Sequence, residues 1–151
     1  MGLRIYDTKT RDKVDFEPLE PGKVRMYLCG ITPYAPSHVG HARSAVAFDL
    51  VYRWLKKKYV VTFVRNVTDV EDKLIRAAGV EGSSTEAIGE RYLRQYQADL
   101  HELNCLDPSL EPKVTDHIDA IVDMVKRLEK RGIGVHRLRK RDADAFRRLE
   151  V

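Results

Sequence analysis

Two histidines three positions apart, His38 and His41, bracket a glycine in the run His38-Val39-Gly40-His41. Imidazoles at that spacing can turn toward one ligand, and the bare Gly40 leaves room for a close approach. Taken alone, the run fits a structural pair, half of a metal site, or a pair of donors to an anion. Its surroundings favour the anion. The run lies between a strand ending at Cys29-Gly30 and a helix starting near His41, where open α/β sheets bind ligands. A helix start also offers unpaired N–H groups and partial positive charge to phosphate oxygens. Neither GxGxxG nor GxxxxGK[ST] occurs in the chain, so a phosphate there must be held by another device, which His38 and His41 supply.

Cys29 is a second candidate. A lone cysteine at a strand end reads by itself as a buried, inert small hydrophobe. The chain has two cysteines, Cys29 and Cys105, too far apart for a Cys-x-x-Cys knuckle and too few for a disulfide framework. Thr68 and Asp69 follow the second strand and should face the same crevice, with helix capping as the alternative role. Asn66-Val67-Thr68 matches a glycosylation acceptor only by chance. Cys105 is read as packing; His101, His117 and His136 share no metal spacing and are read as surface residues.

The elements that position these residues follow from periodicity. Residues 1–23 read as short polar turns punctuated by Pro18, Pro21 and Gly22. A buried strand over 24–28 leads to a loop over 31–41, which holds two prolines and a glycine. A helix over 41–58 should turn Ala45, Phe48, Tyr52 and Leu55 inward, with Val46 and Leu50 alongside. Lys56, Lys57 and Lys58 close its last turn, where cations complement the dipole. A second strand over 59–64 completes a βαβ unit with parallel strands. A polar loop over 65–73 then opens a short helix to Ala78. Ser83 with Glu86 reads as a capping box for a helix to Leu103. Thr115 should cap a last helix, on which Ile118, Ile121, Val122, Val125 and Leu128 recur at helical steps, with Gly132 as its stop. The fold class is α/β in front and helical behind.

Composition bounds the rest. The chain of 151 residues suits one domain. No segment approaches the ~20 apolar residues of a membrane span, no signal-like stretch opens the chain, and a cytoplasmic location is expected. The net charge is +4, but residues 135–151 carry six Lys/Arg against three Asp/Glu. The body is therefore nearly neutral, and overall basicity is a weak argument for nucleic acid.

Three linked motifs carry a resemblance. His38-Val39-Gly40-His41 resembles the "HIGH" element of class I aminoacyl-tRNA synthetases. The stretch CGITPYAPSHVGHARSAVAFD, the opening LRIYDTKTR with EPLEPGKVRMYLCG, and VRNVTDVEDKLIRAA resemble cysteinyl-tRNA synthetases over roughly residues 2–133. The resemblance implies a Rossmann-like parallel half-sheet as the N-terminal catalytic portion, 1–133, followed by an atypical tail, 134–151. It implies ATP-dependent activation of cysteine and transfer to tRNA(Cys). His38, Gly40 and His41 would bind ATP, supplied with magnesium, and the two histidines would be catalytic. Gly30, Thr32 and Thr68 would hold cysteine. Cys29 would be one ligand of a catalytic zinc whose other ligands come from beyond residue 151.

Departures from the family pattern matter too. Thr32-Pro33-Tyr34-Ala35 stands where the family has Thr-Val-Tyr-Asp, removing a carboxylate beside the ATP site. The family glycine before the second strand is missing, and the arginine-rich tail has no recognised counterpart. No "KMSKS"-like loop, second half-sheet or anticodon-binding domain is present, so the chain is expected to be inactive alone, to bind tRNA poorly and to risk self-association through an unpaired sheet edge. The alternatives are a cysteine ligase of mycothiol biosynthesis and a catalytically dead nucleotide-binding module.

Overall fold

The computed structural model describes residues 3–133, and expectations for His136 and the 134–151 tail lie outside them. The chain divides into two units, Met1–Asp116 and His117–Val151.

The first unit opens with an antiparallel hairpin of β1 (Arg4–Asp7) and β2 (Asp12–Asp15), where the sequence suggested only polar turns. Both faces are exposed apart from Asp7, so no alternation of apolar and polar residues betrays the strands. The turn is held by Asp7, whose carboxylate accepts the Lys9 and Thr10 N–H groups at 3.0 and 3.3 Å.

Strand β3 (Lys23–Ile31) follows, then helix α1 (Val39–Lys56), then β4 (Val60–Val67). β3 and β4 pair in parallel from Lys23↔Val60 to Leu28↔Arg65, with an irregularity between Leu28 and Ile31. This is the expected βαβ unit, but β4 runs past Val64 to include Arg65, Asn66 and Val67. The two polar residues, Arg65 and Asn66, stay in the strand because each has a tertiary partner. Arg65 is buried, 4% exposed, and pairs with Glu111 at 2.7 Å. Glu111 also accepts Gln97 Nε2–H at 2.6 Å, and the Arg65 guanidinium lies 5.4 Å from the Tyr96 ring centre. The outer edge of β4 is covered by the 109–114 segment, where the Arg65 and Val67 N–H groups donate to Leu110 and Pro112 carbonyls.

Helix α1 buries Ala45, Asp49, Tyr52 and Leu55. Phe48, expected inside, is 41% exposed, and Val46 and Leu50 are exposed too. Asp49 takes the inward place because its carboxylate pairs with Arg53 at 2.6 Å and accepts the Leu106 N–H at 2.9 Å. Arg53 in turn donates to the Asn104 carbonyl, so α1 pins the end of the following helical pair.

Helices α2 (Asp72–Glu81) and α3 (Thr85–Glu102) form that pair. Glu71, not Thr68, caps α2, accepting the Lys73 N–H at 2.8 Å. Ser84 rather than Ser83 caps α3, its Oγ accepting the Ala87 N–H at 3.1 Å. That register puts Ala87 at the third helical position, so Glu86 cannot close the expected box. The main core joins Ile31, Ala45, Val67, Leu93, Tyr96 and Leu100, with Cys105 packed against it as expected. A smaller cluster of Leu74, Ala78 and Ile88 ties α2 to α3.

In the second unit, α4 (Ile118–Lys130) is amphipathic and ends at Gly132, whose φ of 67° is the left-handed stop. His117, not Thr115, occupies its N-cap; the Thr115 hydroxyl donates instead to Asp69.

The buried Arg65–Glu111 pair gives a direct test. Glu111→Ala leaves a guanidinium uncompensated inside the protein, and the unfolding free energy should fall by about 3 kcal/mol. Urea denaturation of wild type and variant measures it.

Candidate functional site

The first residues of any helix carry N–H groups with no intrahelical partner, and at α1 the two histidines supply the acceptors. His38 is the N-cap, in extended backbone, and its Nδ1 accepts the Gly40 N–H at 3.1 Å. His41, three residues on, returns its own Nδ1 to the His38 N–H at 3.2 Å. This is a capping box built from imidazoles instead of Ser/Thr and Glu/Gln. The rings stack with centroids 3.9 Å apart and planes 25° from parallel. Each Nδ1 is spent as an acceptor, so each neutral ring carries its proton on Nε2, as a donor free for a ligand.

Gly40 is required by this arrangement. A Cβ there would stand 2.9 Å from His38 Cε1 and 3.0 Å from its Nδ1, pushing the ring away. The room left by the glycine is taken first by the His38 imidazole.

A cleft of about 410 Å³ lies beside the pair, with Tyr96, Asp99 and Glu102 of α3 on its wall. Ser37 Oγ, buried without a hydrogen-bond partner, lines it too. Tyr96 meets His41 edge-on at 6.5 Å, linking the site to the buried Arg65. Burial raises the Tyr96 phenol above its ordinary range, which keeps it neutral.

The second cluster lies where β3 and β4 approach most closely. A Cβ at Gly30 would fall 1.6 Å from the Asn66 carbonyl oxygen, so only glycine fits. The Asn66 Oδ1 accepts the Gly30 N–H and the Tyr27 hydroxyl, each at 2.9 Å, and its Nδ2 donates to Thr68 Oγ1 at 3.1 Å. The Thr68 N–H donates to the Ile31 carbonyl at 2.9 Å. Gly30 and Thr68 are thus brought together, with Thr32 half-buried on the loop just after β3. Asp69 is drawn off to Thr115, accepting its N–H at 3.0 Å. Asn66 and Tyr27 were missed as site residues. A usable signal existed, since Asn66 and Thr68 are two apart and residues at that spacing share one face of a strand.

Cys29 is exposed near the end of β3, not buried as a small core hydrophobe would be. However, no group of three or more His, Cys, Asp or Glu is placed to hold a metal ion among the described residues. One thiol does not make a four-donor zinc centre, and no step below runs through zinc.

The family described as tRNA synthetases class I (C) catalytic domain matches residues 15–146. The chain belongs to that family. The match runs past residue 133, where the motif-based resemblance stops. Similar proteins include the cysteine–tRNA ligase of Syntrophotalea carbinolica, 47% identical over 134 residues, covering 88% of this chain and 28% of the relative. That of Syntrophobacter fumaroxidans is 42% identical over 151 residues, 99% of this chain and 30% of the relative. The chain thus spans under a third of these class I synthetases. Among solved structures, Mycobacterium tuberculosis methionyl-tRNA synthetase bound by methionyl-adenylate is similar with a TM-score of 0.52 and 28% identity. It covers 61% of this chain and 18% of that one. The ternary complex of Agrobacterium radiobacter K84 agnB2 LeuRS, tRNA and LeuAMS shares the fold, with a TM-score of 0.61 at 19% identity over 78% of this chain and 16% of that one. The fold of this chain is therefore one shared with class I synthetases, mixed α/β around a parallel pair. No helix among the described residues is long and apolar enough to cross a membrane.

The cap makes a pH prediction. Burial, and secondarily the charge of His38, hold His41 below the ordinary imidazole range. A protonated His41 can no longer accept the His38 N–H, and it sets positive charge at the positive end of α1. The folded state therefore prefers neutral His41. That preference is fully present above the unfolded value of about 6.5 and is lost as pH falls through the lower folded value. His41→Gln keeps an acceptor that cannot titrate. Denaturation at pH 8 and pH 5 should show a larger loss in wild type than in the variant.

Proposed function

We propose that this chain forms the nucleotide- and amino-acid-binding portion of a cysteine–tRNA ligase, acting in ATP-dependent activation of cysteine for transfer to tRNA(Cys). The observation carrying this reading is the stacked His38–His41 pair, which presents two Nε2–H donors at a helix N-terminus. In the proposed first step a carboxylate oxygen of cysteine attacks the α-phosphorus of ATP. A new O–P bond forms, the bond between the α-phosphorus and its bridging oxygen breaks, and pyrophosphate leaves with the electron pair. No covalent link to the protein is needed. Catalysis is then positioning plus stabilisation of charge on the phosphates, which His38 and His41 supply as donors. Gly40 belongs to the ATP site because any side chain there would push His38 out of line.

Asp99 and Glu102 on the wall of the cleft would repel a bare triphosphate, which favours ATP entering as its magnesium complex. Gly30, Thr32 and Thr68 are proposed to hold cysteine, on the strength of the close packing that joins Gly30 to Thr68 through Asn66. Zinc at Cys29 would supply a soft Lewis acid for the substrate thiol, provided further donors complete its shell. The free thiols of Cys29 and Cys105 suit a reducing cytoplasm.

Cysteine-dependent exchange of pyrophosphate into ATP, by this chain joined to the C-terminal remainder of a cysteine–tRNA ligase, tests the proposal. His38→Asn retains a good N-cap acceptor but removes the Nε2–H donor. It should leave thermal stability nearly unchanged and lower exchange by about 10²–10³-fold. ATP binding with no exchange in wild type would indicate a nucleotide-binding module instead, and unchanged exchange in His38→Asn would remove His38 from the chemistry.

A further inference from the structure

Asn66 sits on β4 opposite the irregular end of β3, and its carboxamide has one orientation available. Two donors, the Tyr27 hydroxyl and the Gly30 N–H, converge on its Oδ1 at 2.9 Å each. A flipped amide would set its N–H against the Gly30 N–H, which can only donate, so Oδ1 stays on that side and Nδ2 points to Thr68 Oγ1, 3.1 Å away. Thr68 Oγ1 is therefore an acceptor toward Asn66. The hydroxyl proton of Thr68 cannot go to an N–H group, and none of the hydrogen bonds among the described residues uses it. It is left as a donor on the half-exposed side of the strand end, where the Ile31 carbonyl already holds the Thr68 backbone.

We infer that Asn66 is a positioning residue that occupies the inner side of the Thr68 hydroxyl and turns its proton toward the pocket, so that Thr68 offers a donor to a hydrogen-bond acceptor, the carboxylate of the amino acid. This rests on the proposed reading of Thr68 as part of the amino-acid pocket. It adds a specificity device that the motif residues alone do not contain. Thr68 contributes the contact, and Asn66 orients it. Tyr27 and Gly30 act one step further back, by holding Asn66 against rotation. The chain of dependence runs from the close approach at Gly30 to the amide, and from the amide to the hydroxyl.

Asn66→Asp is the discriminating substitution. The variant keeps an oxygen for Tyr27 and Gly30 but places a second oxygen against Thr68, whose hydroxyl then turns inward to donate to it. Calorimetric titration of the full chain compares L-cysteine with cysteamine, which lacks the carboxylate. Asn66→Asp should weaken cysteine binding roughly tenfold while leaving cysteamine binding no weaker. A new negative charge could repel the carboxylate directly, so the same substitution is made in a Thr68→Val background. An effect carried by the hydroxyl disappears there; a tenfold loss that persists overturns the inference. Should Asn66→Asp fail to fold, Thr68→Val and Thr68→Ser serve instead. Valine should erase the preference for cysteine over cysteamine and serine should restore it, whereas an unchanged preference in Thr68→Val overturns the inference. The Asn66 side-chain amide protons report the contact without any ligand. One of them should be shifted by its bond to Thr68 in wild type and should move in Thr68→Val; an unmoved signal counts against the geometry. Wild type that binds no L-cysteine would remove the amino-acid-pocket reading itself, a different failure from binding that ignores Asn66.

Discussion

Backbone N–H groups at the start of α1 need acceptors, and the imidazoles of His38 and His41 meet that need reciprocally, at 3.1 and 3.2 Å. This local demand sets the site. It fixes each ring's rotation, commits each Nδ1 to the backbone and leaves each Nε2 outward. The proposed donor geometry and the helix start are thus one structure, and the donors need no separate scaffold. Gly40 is part of the same device, since a methyl group at that position would collide with the His38 ring. Stacking at 3.9 Å costs little while both rings are neutral, and the lowered pKa of His41 favours that state.

Behind the cap lies a polar support reaching into the core. Tyr96 touches His41 edge-on and lies under the Arg65 guanidinium, which is paired with Glu111. A buried ion pair of this kind is seldom a net source of stability, because desolvation offsets much of the attraction. Its effect here is positional. It holds α3, β4 and the 109–114 segment in one register, and so keeps Tyr96 against the histidine. The Asp49–Arg53 pair does the same from α1, through Leu106 and Asn104.

The legible and illegible parts of the sequence divide along physical lines. The βαβ unit was readable because its strands and helix carry apolar periodicity, and the His-x-Gly-His run was readable as a motif. That the motif is also a capping box was not drawn from it, although its three-residue spacing is the box spacing. Phe48 was expected inside because hydrophobicity favours it. Asp49 displaces it, since a charged residue with two partners can hold an inward position that a sequence pattern reserves for an apolar one. The sequence suggested that Arg65 and Asn66 begin a loop because both are polar, and their partners Glu111, Tyr27 and Gly30 are far away in sequence. The β1–β2 hairpin carries no apolar face to betray it. The misses at Asp49, Arg65 and Asn66 each concern a polar group satisfied by a distant residue, which local patterning cannot see.

The central claim is that both rings are Nε2–H tautomers presented to phosphate. Long-range ¹H–¹⁵N correlation spectra of the imidazoles at pH 8, recorded before and after adding magnesium ATP, test it most directly. The account predicts an unprotonated Nδ1 and a protonated Nε2 in both His38 and His41, with the Nε2 signals moving on nucleotide addition. A proton on Nδ1 of either ring, or nucleotide shifts at Nδ1 with Nε2 unmoved, would contradict it.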